Sequence, residues 1–194
     1  KISNFKKPVV ISSGMSNPKE IKEALKILKK NEIVLLHCIS SYPTLESNLN
    51  LKSFELLREF NLPLGLSDHT KGVIGALISL SYGAMVFEKH FLPTSKIKKV
   101  GDYKLSLNPK EMRNYIRIVN CGFSTLGLKR TSFFDSEKSS YNSQRRSPYF
   151  NSSFKKDKRI SESNIVFLRP YNKKGIDNFS IKEILGKELK TKVK

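Results

Sequence analysis

Residues 62–70 read Leu-Pro-Leu-Gly-Leu-Ser-Asp-His-Thr, a short apolar run that ends in polar residues. This pattern is typical of a buried parallel strand whose carboxyl end carries chemistry. Similar runs occur before and after it, and segments with helical character separate them. We predict strands at 8–14, 32–38, 64–69 and 84–91, and helices at 17–30, 47–60, 72–82 and 108–123. Strand and helix signals that alternate in this way predict an α/β fold built from parallel β/α units.

Two of the predicted helices begin with a capping signal. Asn17 precedes a proline that suits the first helical turn, and Glu20 follows three residues after the asparagine. Asn108 and Glu111 repeat the arrangement. An asparagine side chain at this position accepts a hydrogen bond from a backbone N–H of the first turn, so both helix starts are well defined.

Each predicted strand ends in polar residues, and the carboxyl ends of parallel strands meet at one edge of a sheet. His69 and His90 end two consecutive strands, which lie about 5 Å apart when paired. Two imidazoles at that spacing predict a divalent metal site completed by water or carboxylate. Such a site suits Mn, Mg or Fe better than closed structural zinc. The alternative is that each histidine is an ordinary polar residue at a strand end.

Serine hydroxyls collect at the same predicted edge, where hydroxyls and loop N–H groups can bind phosphate or carboxylate oxygens. The hydroxyl candidates are Ser12, Ser13, Ser40, Ser41 and Ser67. For any single serine, turn formation is the alternative. Asp68 is a candidate to orient a metal ligand. Lys89 is a candidate to bind an anionic substrate, with a solvated lysine as the alternative.

The composition excludes several classes of protein. The chain has 194 residues, a formal net charge of +19, and 38% hydrophobic residues that include twelve Phe and seven Tyr. The aromatic content argues against disorder, and no apolar run is long enough to predict a membrane span. Cys38 and Cys121 predict free thiols in a reducing cytoplasm. Lys and Arg are spread along the chain without a nucleic-acid-binding motif. As the cause of the basic excess, we therefore favour a general bias towards lysine over attraction of an anion, and attraction of an anion over nucleic-acid binding.

The composition shifts after the last predicted helix of the first half. Residues 131–158 are rich in Ser, Asn, Lys and Arg without a clear period, which predicts a linker. Residues 159–194 contain a short apolar run at 165–168 and a short predicted helix at 180–186. A segment of this size buries little apolar surface, so we expect it to lean on a partner or on the first domain.

Five ordered motifs resemble those of the sialic acid synthase family. They are Val10-Ile11-Ser12-Ser13-Gly14-Met15, Leu36-His37-Cys38-Ile39-Ser40-Ser41-Tyr42-Pro43-Thr44, Gly65-Leu66-Ser67-Asp68-His69-Thr70, Phe87-Glu88-Lys89-His90-Phe91 and Gly101-Asp102-Tyr103-Lys104-Leu105-Ser106-Leu107. Three later segments resemble the family's C-terminal antifreeze-like (SAF) domain. They are Arg145-Arg146-Ser147, Phe167-Leu168-Arg169-Pro170 and Glu183-Ile184-Leu185-Gly186-Lys187.

The resemblance implies a transferase that condenses phosphoenolpyruvate with an N-acetylated hexosamine, usually N-acetylmannosamine, to a nonulosonic acid and phosphate. It implies a (β/α)₈ barrel followed by a small SAF domain. Residues 1–130 would supply the last four barrel strands, and residues 131–194 the linker and SAF domain. It also implies a homodimer in which each SAF domain caps the partner's barrel. Legionaminate, pseudaminate and spore-coat relatives share the motifs, so the sugar stays open.

The resemblance also implies roles for single residues. His69 and His90 would hold the metal, typically Mn with Mg as an alternative. Ser12, Ser40 and Ser67 would contact phosphoenolpyruvate, Tyr42 and Asp102 the sugar, and Arg169 the N-acetyl end of the sugar in the partner's site. Apart from the resemblance, their positions beside the histidines make Asp68 a catalytic candidate and Lys89 a substrate-binding candidate.

The sequence departs from the family pattern in its extent. Four predicted strands are half of a barrel, and the chain begins at Lys1 rather than Met, so we expect part of a larger enzyme. Ser40 stands where the family often has Asn, and Tyr103 where it has His. The alternative function is a non-catalytic remnant or subunit that binds a sugar or an anion. Such a subunit would be completed by a separate N-terminal half.

Overall fold

In the computed structural model, which describes residues 1–94 and 101–193, four parallel strands form one sheet in the order β1-β2-β3-β4. The strands are β1 (Val9–Ser12), β2 (Ile33–Cys38), β3 (Leu64–Asp68) and β4 (Ala84–Lys89). Sequential strands are neighbours, and each pair is parallel. The predicted α/β class and the position of each strand are therefore confirmed. His69 and His90 lie one residue past β3 and β4.

Helices follow the strands as the alternation predicts. They are α1 (Pro18–Ile27), α2 (Ser53–Leu57), α3 (Ile74–Ser81) and α4 (Pro109–Leu126). Both predicted capping boxes are present. Asn17 Oδ1 accepts a hydrogen bond from the Glu20 N–H at 3.1 Å, and Asn108 Oδ1 accepts one from the Glu111 N–H at 3.0 Å. These caps satisfy backbone donors that a helix start otherwise leaves unpaired.

The core lies between the sheet and these four helices. Leu35 and Leu66 of the sheet are almost fully buried against Phe54 of α2, Ala76 of α3 and other residues of the same cluster. Gly65 allows the close approach of β3 and β4. A Cβ at this position would lie 2.2 Å from the carbonyl oxygen of Val86. The register between these strands shifts at that point, so the glycine fits an irregular pairing.

The helix predicted at 47–60 is wrong in its extent. The structure has a 3-10 helix at Glu46–Asn48, then α2, then a second 3-10 helix at Arg58–Phe60. Asn50 adopts a left-handed conformation with φ of 49°, which interrupts a regular helix before α2 begins. The segment nevertheless contributes to the core through Leu49, Phe54 and Leu57.

The chain divides into two compact units, Lys1–Gly127 and Leu128–Lys194. In the second unit, α5 (Lys138–Gln144) precedes an antiparallel pair of strands, β5 (Ser147–Phe150) and β6 (Ile165–Leu168). The predicted helix at 180–186 is instead a 3-10 helix at Ser180–Glu183. That segment is too short for the repeated bonds of an α-helix, and Gly186 follows with φ of 79°.

Part of the segment predicted as a linker is folded. Helix α5 and strand β5 lie within residues 131–158, and aromatic contacts support them. The Phe133 and Tyr141 rings stack with centroids 4.3 Å apart, and Tyr141 meets Tyr171 edge-on at 5.0 Å. These contacts join residues far apart in sequence, which local periodicity does not reveal. No helix in the described parts of the chain is both long and apolar enough to cross a bilayer.

Candidate functional site

A cavity of about 440 Å³ lies at the carboxyl edge of the four-stranded sheet. Seven of the residues predicted from sequence line it: Ser12, Ser40, Tyr42, Ser67, His69, His90 and Asp102. The other lining residues are Gly14, Met15, Cys38 and Glu88. The cavity thus combines two imidazoles, two carboxylates and several hydroxyls. The strand ends meet in one place, as the parallel arrangement predicts.

The two predicted metal-binding histidines are adjacent. The ring centroids of His69 and His90 are 5.2 Å apart, with the rings inclined at 66°. The Tyr42 ring lies beside both, 4.2 Å from the His69 ring and 6.0 Å from the His90 ring. This aromatic neighbour restricts how far either imidazole can rotate. A pair of imidazoles held so closely can bind one cation.

The polypeptide backbone orients His69. Its Nδ1 lies 2.8 Å from the carbonyl oxygen of Ile39, and a carbonyl can only accept, so Nδ1 carries the proton. The other ring nitrogen, Nε2, then keeps its lone pair. The backbone is held as well, because the Thr44 N–H donates to the His69 carbonyl at 2.9 Å. A histidine that donates through one nitrogen to a carbonyl is arranged as metal-binding histidines commonly are.

A carboxylate lies next to His90. Asp102 Oδ2 is 3.8 Å from His90 Nδ1, and both side chains remain partly exposed to the cavity. The backbone of His90 is fixed from the same direction, because its carbonyl accepts a 2.9 Å hydrogen bond from the Leu107 N–H. Asp102 and Leu107 belong to the last of the five ordered motifs, which is thereby brought to the two histidines.

Sequence reasoning missed Glu88 as a site residue. Strand alternation places one of Glu88 and Lys89 on the face of His90 and leaves the other on the helix face. The structure puts Glu88 in the cavity, where its Oε1 accepts a 2.6 Å hydrogen bond from Ser67 Oγ. The available signal was spacing, since Glu88 precedes His90 by two residues and therefore shares its face.

The structure corrects the placement of Asp68 and Lys89, because neither side chain lines the cavity. Both point to the opposite face of the sheet, where Lys89 Nζ contacts Asp68 Oδ2 at 2.9 Å beneath α4. Tyr115 of α4 covers the pair, with its hydroxyl 3.4 Å from Asp68 Oδ2. Burial and the negative charge of Asp68 raise the pKa of Tyr115, so this phenol stays protonated. In a regular strand, neighbours of inward-facing residues point outward, which explains the misplacement.

Arg169 belongs to the second unit and not to the lining of this cavity. It follows β6 directly, and its side chain is exposed. The predicted role of Arg169 in a partner's site stays a prediction. His37 lies on β2 but away from the cavity. Its Nε2 is 2.7 Å from the Leu49 carbonyl oxygen within the core, and burial lowers its pKa.

The residues at this edge fit a metal with an open coordination shell. No cluster of three or more His, Cys, Asp or Glu side chains with metal-binding geometry occurs among residues 1–94 and 101–193. The imidazoles of His69 and His90, with carboxylates nearby, nevertheless form a donor set that water or substrate oxygens can complete. The carbonyl of Ile39 orients the His69 ring. A closed structural zinc site would require more protein ligands than these residues supply.

A model of the NeuB family matches residues 1–130, which contain the sheet, the four helices and the cavity. The chain belongs to the NeuB family. The N,N'-diacetyllegionaminic acid synthase of Campylobacter jejuni is 37% identical over 96% of this chain and 57% of its own length. The pseudaminic acid synthase of the same organism is 32% identical over all of this chain and 56% of its own length.

A solved structure shows the same fold. It is the N-acetylneuraminic acid (sialic acid) synthetase of Leptospira borgpetersenii in complex with citrate. It superposes with a TM-score of 0.65 at 30% identity, over 72% of this chain and 50% of its own chain. The NeuB-family chain described here thus spans about half the length of the relatives that it matches. Its four parallel strands are consistent with part of a TIM barrel.

Proposed function

We propose that this chain forms the metal- and substrate-binding part of a nonulosonic acid synthase. The reaction is the condensation of phosphoenolpyruvate with an N-acetylated hexosamine, N-acetylmannosamine or a relative, with release of phosphate. One observation carries the proposal: His69 and His90 face one cavity together with the serines and carboxylates of the ordered motifs. The names of the two Campylobacter relatives support this reaction class without selecting the sugar.

His69 and His90 would hold a divalent cation, with Mn as the first choice and Mg as the alternative. When bound, such an ion supplies Lewis-acid polarisation of the sugar aldehyde. The protein's part is to present the imidazoles in the correct tautomer. Ile39 does this for His69 by accepting the Nδ1 proton. Asp102 Oδ2, 3.8 Å from His90 Nδ1, would do the same for His90 only after moving within hydrogen-bond distance.

The hydroxyl groups of the cavity suit an anionic substrate. Ser12 and Ser40 line it with hydroxyls that can donate hydrogen bonds to phosphate or carboxylate oxygens, and Ser67 would join them if its hydroxyl turned away from Glu88 Oε1, to which it now donates. The formal net charge of +19 would favour the approach of an anion to the chain as a whole, although the cavity itself is lined by the carboxylates Glu88 and Asp102. Tyr42 and Asp102 line the cavity beside the histidines and are assigned to the sugar hydroxyls.

The remaining proposals concern the second unit and the assembly. We assign residues 131–194 to a linker and an SAF-type domain, and the whole protein to a cytoplasmic homodimer in which that domain caps the partner's barrel. Arg169 would then contact the N-acetyl group of the sugar. An exposed arginine beside a strand end suits this role, because its planar fork donates several hydrogen bonds at once.

A second candidate function is a sugar- or anion-binding module without catalysis. The observation that favours it is the lining of the cavity, because hydroxyls, carboxylates and imidazoles can bind a sugar or an anion without catalysing a reaction. Such a module would bind a sugar or an anion in the cavity but would not catalyse the condensation. Phosphate release from phosphoenolpyruvate in the presence of the sugar separates the two candidates.

The test begins with a titration of the 194-residue chain with Mn²⁺, followed by electron paramagnetic resonance. The signal of the free ion decreases as Mn²⁺ binds. We expect one Mn²⁺ per chain, lost in His69→Gln and in His90→Gln. His37→Gln is the matched control, since His37 is a histidine outside the cavity and should leave Mn²⁺ binding unchanged. Mn²⁺ binding that survives both cavity substitutions would overturn the proposed metal site.

The reaction is then tested with phosphoenolpyruvate, N-acetylmannosamine and Mn²⁺. Release of phosphate that depends on both substrates and on both cavity histidines supports the synthase. Substrate binding without release, in a chain that binds Mn²⁺, supports the binding module instead. A chimera supplies the second measurement. In it these 194 residues replace the matching segment of the Campylobacter legionaminic acid synthase, and turnover by that chimera supports the synthase assignment.

A further inference from the structure

Two opposite charges lie directly behind the cavity. On β3, Asp68 stands between Ser67 and His69, and on β4, Lys89 stands between Glu88 and His90. The two strands pair with Asp68 opposite Lys89. Alternation therefore sends the pair to one face and the four flanking side chains to the other. The same two backbone segments carry both the ion pair and the two histidines.

The ion pair is buried to an unusual degree for charged side chains. The exposed fractions are 2% for the Lys89 side chain and 0% for that of Asp68, and Nζ lies 2.9 Å from Oδ2. Tyr115 contributes to its cover, with its ring centroid 5.6 Å from Lys89 Nζ. Because almost none of either side chain is exposed to solvent, each charge depends strongly on the other for stabilisation, and their separation is restrained.

The pair also fixes the chain beyond the strands. Asp68 Oδ1 accepts hydrogen bonds from the Thr70 N–H at 2.9 Å and from Thr70 Oγ1 at 2.7 Å. Lys89 Nζ donates to the Thr70 carbonyl and, at 3.4 Å, to the Gly72 carbonyl. His69 thus lies between two residues that share one polar network. A shift of Lys89 would be transmitted to both sides of the His69 backbone.

We propose that the buried Asp68–Lys89 pair is a positioning device that holds His69 and His90 at the spacing required to bind one cation. Asp68 and Lys89 touch neither the substrate nor the cation, and they act through the two histidines. The proposal rests on the proposed metal site and goes beyond it, because it assigns a function to residues on the opposite face of the sheet.

The pair acts through geometry rather than through net charge. Its two charges are opposite and adjacent, so their combined field at the cavity is small. Removal of either partner leaves the other charge buried without compensation, and the local backbone must relax to let water in. We therefore expect Asp68→Asn and Lys89→Met each to weaken Mn²⁺ binding about 10- to 100-fold, as disruption of outer-shell contacts does in other metal sites.

Leu57→Ala is the matched control for general loss of stability. Leu57 is a buried core residue on α2, and it makes none of the hydrogen bonds or ion pairs of the Asp68–Lys89–Thr70 network given above. We expect the Mn²⁺ affinity of Leu57→Ala to stay within about twofold of the wild type, although the void left by the lost side chain destabilises the fold. The double variant Asp68→Asn/Lys89→Met should bind Mn²⁺ at least as tightly as the single variant with the lower affinity. Each single change already breaks the pair, so the second change adds no further loss.

A second readout does not need the metal. Nitrogen chemical shifts of the His69 ring in the metal-free chain report which ring nitrogen carries the proton. The wild type should show protonation at Nδ1, as the Ile39 contact requires, and the Lys89→Met chain should show a mixture of tautomers. If Asp68→Asn and Lys89→Met do not fold, Thr70→Val is the substitute test, because it removes the hydroxyl that donates to Asp68 Oδ1. It should weaken Mn²⁺ binding by about threefold or more.

The outcomes separate this inference from the proposed function. Wild-type binding that requires both histidines, together with unchanged affinity and tautomer in the pair variants, would overturn the positioning role and leave the metal site intact. No Mn²⁺ binding by the wild type would overturn the metal site. The ring shifts would then still decide whether the pair orients His69. A parallel loss of affinity in Leu57→Ala would overturn the specific role of the pair.

Discussion

Ser67 on β3 is paired with Glu88 on the neighbouring strand β4, and Ser67 Oγ donates a 2.6 Å hydrogen bond to Glu88 Oε1. Ser67 is buried, whereas Glu88 is exposed to the cavity. The hydrogen bond therefore directs a carboxylate towards the space beside the two histidines. A negative charge in that position attracts a cation and repels an anion unless the cation is present.

Glu88→Gln is expected to weaken Mn²⁺ binding several-fold, because it removes one negative charge and keeps the shape of the side chain. Isothermal titration calorimetry of Mn²⁺ into the chain measures the change. Glu55→Gln is the control, since Glu55 is exposed on α2 away from the cavity. Equal affinities for the wild type and Glu88→Gln would show that this carboxylate does not contribute to cation binding.

His37 is expected to make stability depend on pH. The ordinary pKa of a histidine is 6.5, and burial lowers the pKa of His37 in the folded state. As the pH falls, the unfolded chain therefore takes up this proton before the folded chain does. The contribution of His37 to stability is complete above about pH 6.5 and declines below it, by up to about 1.4 kcal/mol for each pH unit.

Denaturant titrations between pH 8 and pH 5 measure this dependence. His37→Gln retains a donor for the Leu49 carbonyl but does not titrate, so its unfolding free energy should fall less steeply below pH 6.5 than that of the wild type. Because His69 and His90 are present in both chains, the difference between the profiles isolates His37. Parallel profiles would contradict the assignment.

Gly65→Ala is expected to destabilise the first unit by about 1–3 kcal/mol or more. The new Cβ would meet the Val86 carbonyl oxygen at 2.2 Å and a Leu36 methyl carbon at 2.4 Å, so the backbone of β3 or β4 has to move. Gly101→Ala is the matched control, because its Cβ has no heavy atom within 4 Å among the described residues other than its chain neighbours. Denaturant titration compares the two variants, and equal stabilities would refute the close approach.

The two asparagine caps are each expected to contribute about 1 kcal/mol to stability. Asn17→Ala and Asn108→Ala remove side-chain acceptors for the first-turn N–H groups of α1 and α4. Asn120→Ala lies in the exposed middle of α4 and should be neutral or stabilising, since alanine favours a helix interior. Thermal unfolding followed by circular dichroism measures all three. A stability loss in Asn120→Ala equal to that of the caps would contradict the capping role.

Local pattern was sufficient for much of the fold. The apolar runs at residues 32–38 and 64–69 predicted buried parallel strands, because a strand covered on both faces needs nearly continuous apolar side chains. The caps at Asn17 and Asn108 were readable because capping depends on neighbours in the sequence. The break at Asn50 and the folding of residues 138–150 were not readable, because a single backbone conformation and long-range aromatic contacts decide them.

The residues alone predicted that His69, His90 and the strand-end serines share one edge of a parallel sheet. That follows from the fixed direction of β/α units. Only the tertiary structure decided which neighbours of those histidines belong to the cavity. It assigned Glu88 to the cavity and buried Asp68 and Lys89 beneath α4. Strand alternation puts Glu88 on the face of the two histidines and Asp68 and Lys89 on the other, but it does not say which face lines the cavity. The choice is made by packing, because a buried charge needs a partner, and the pairing of β3 with β4 supplies it.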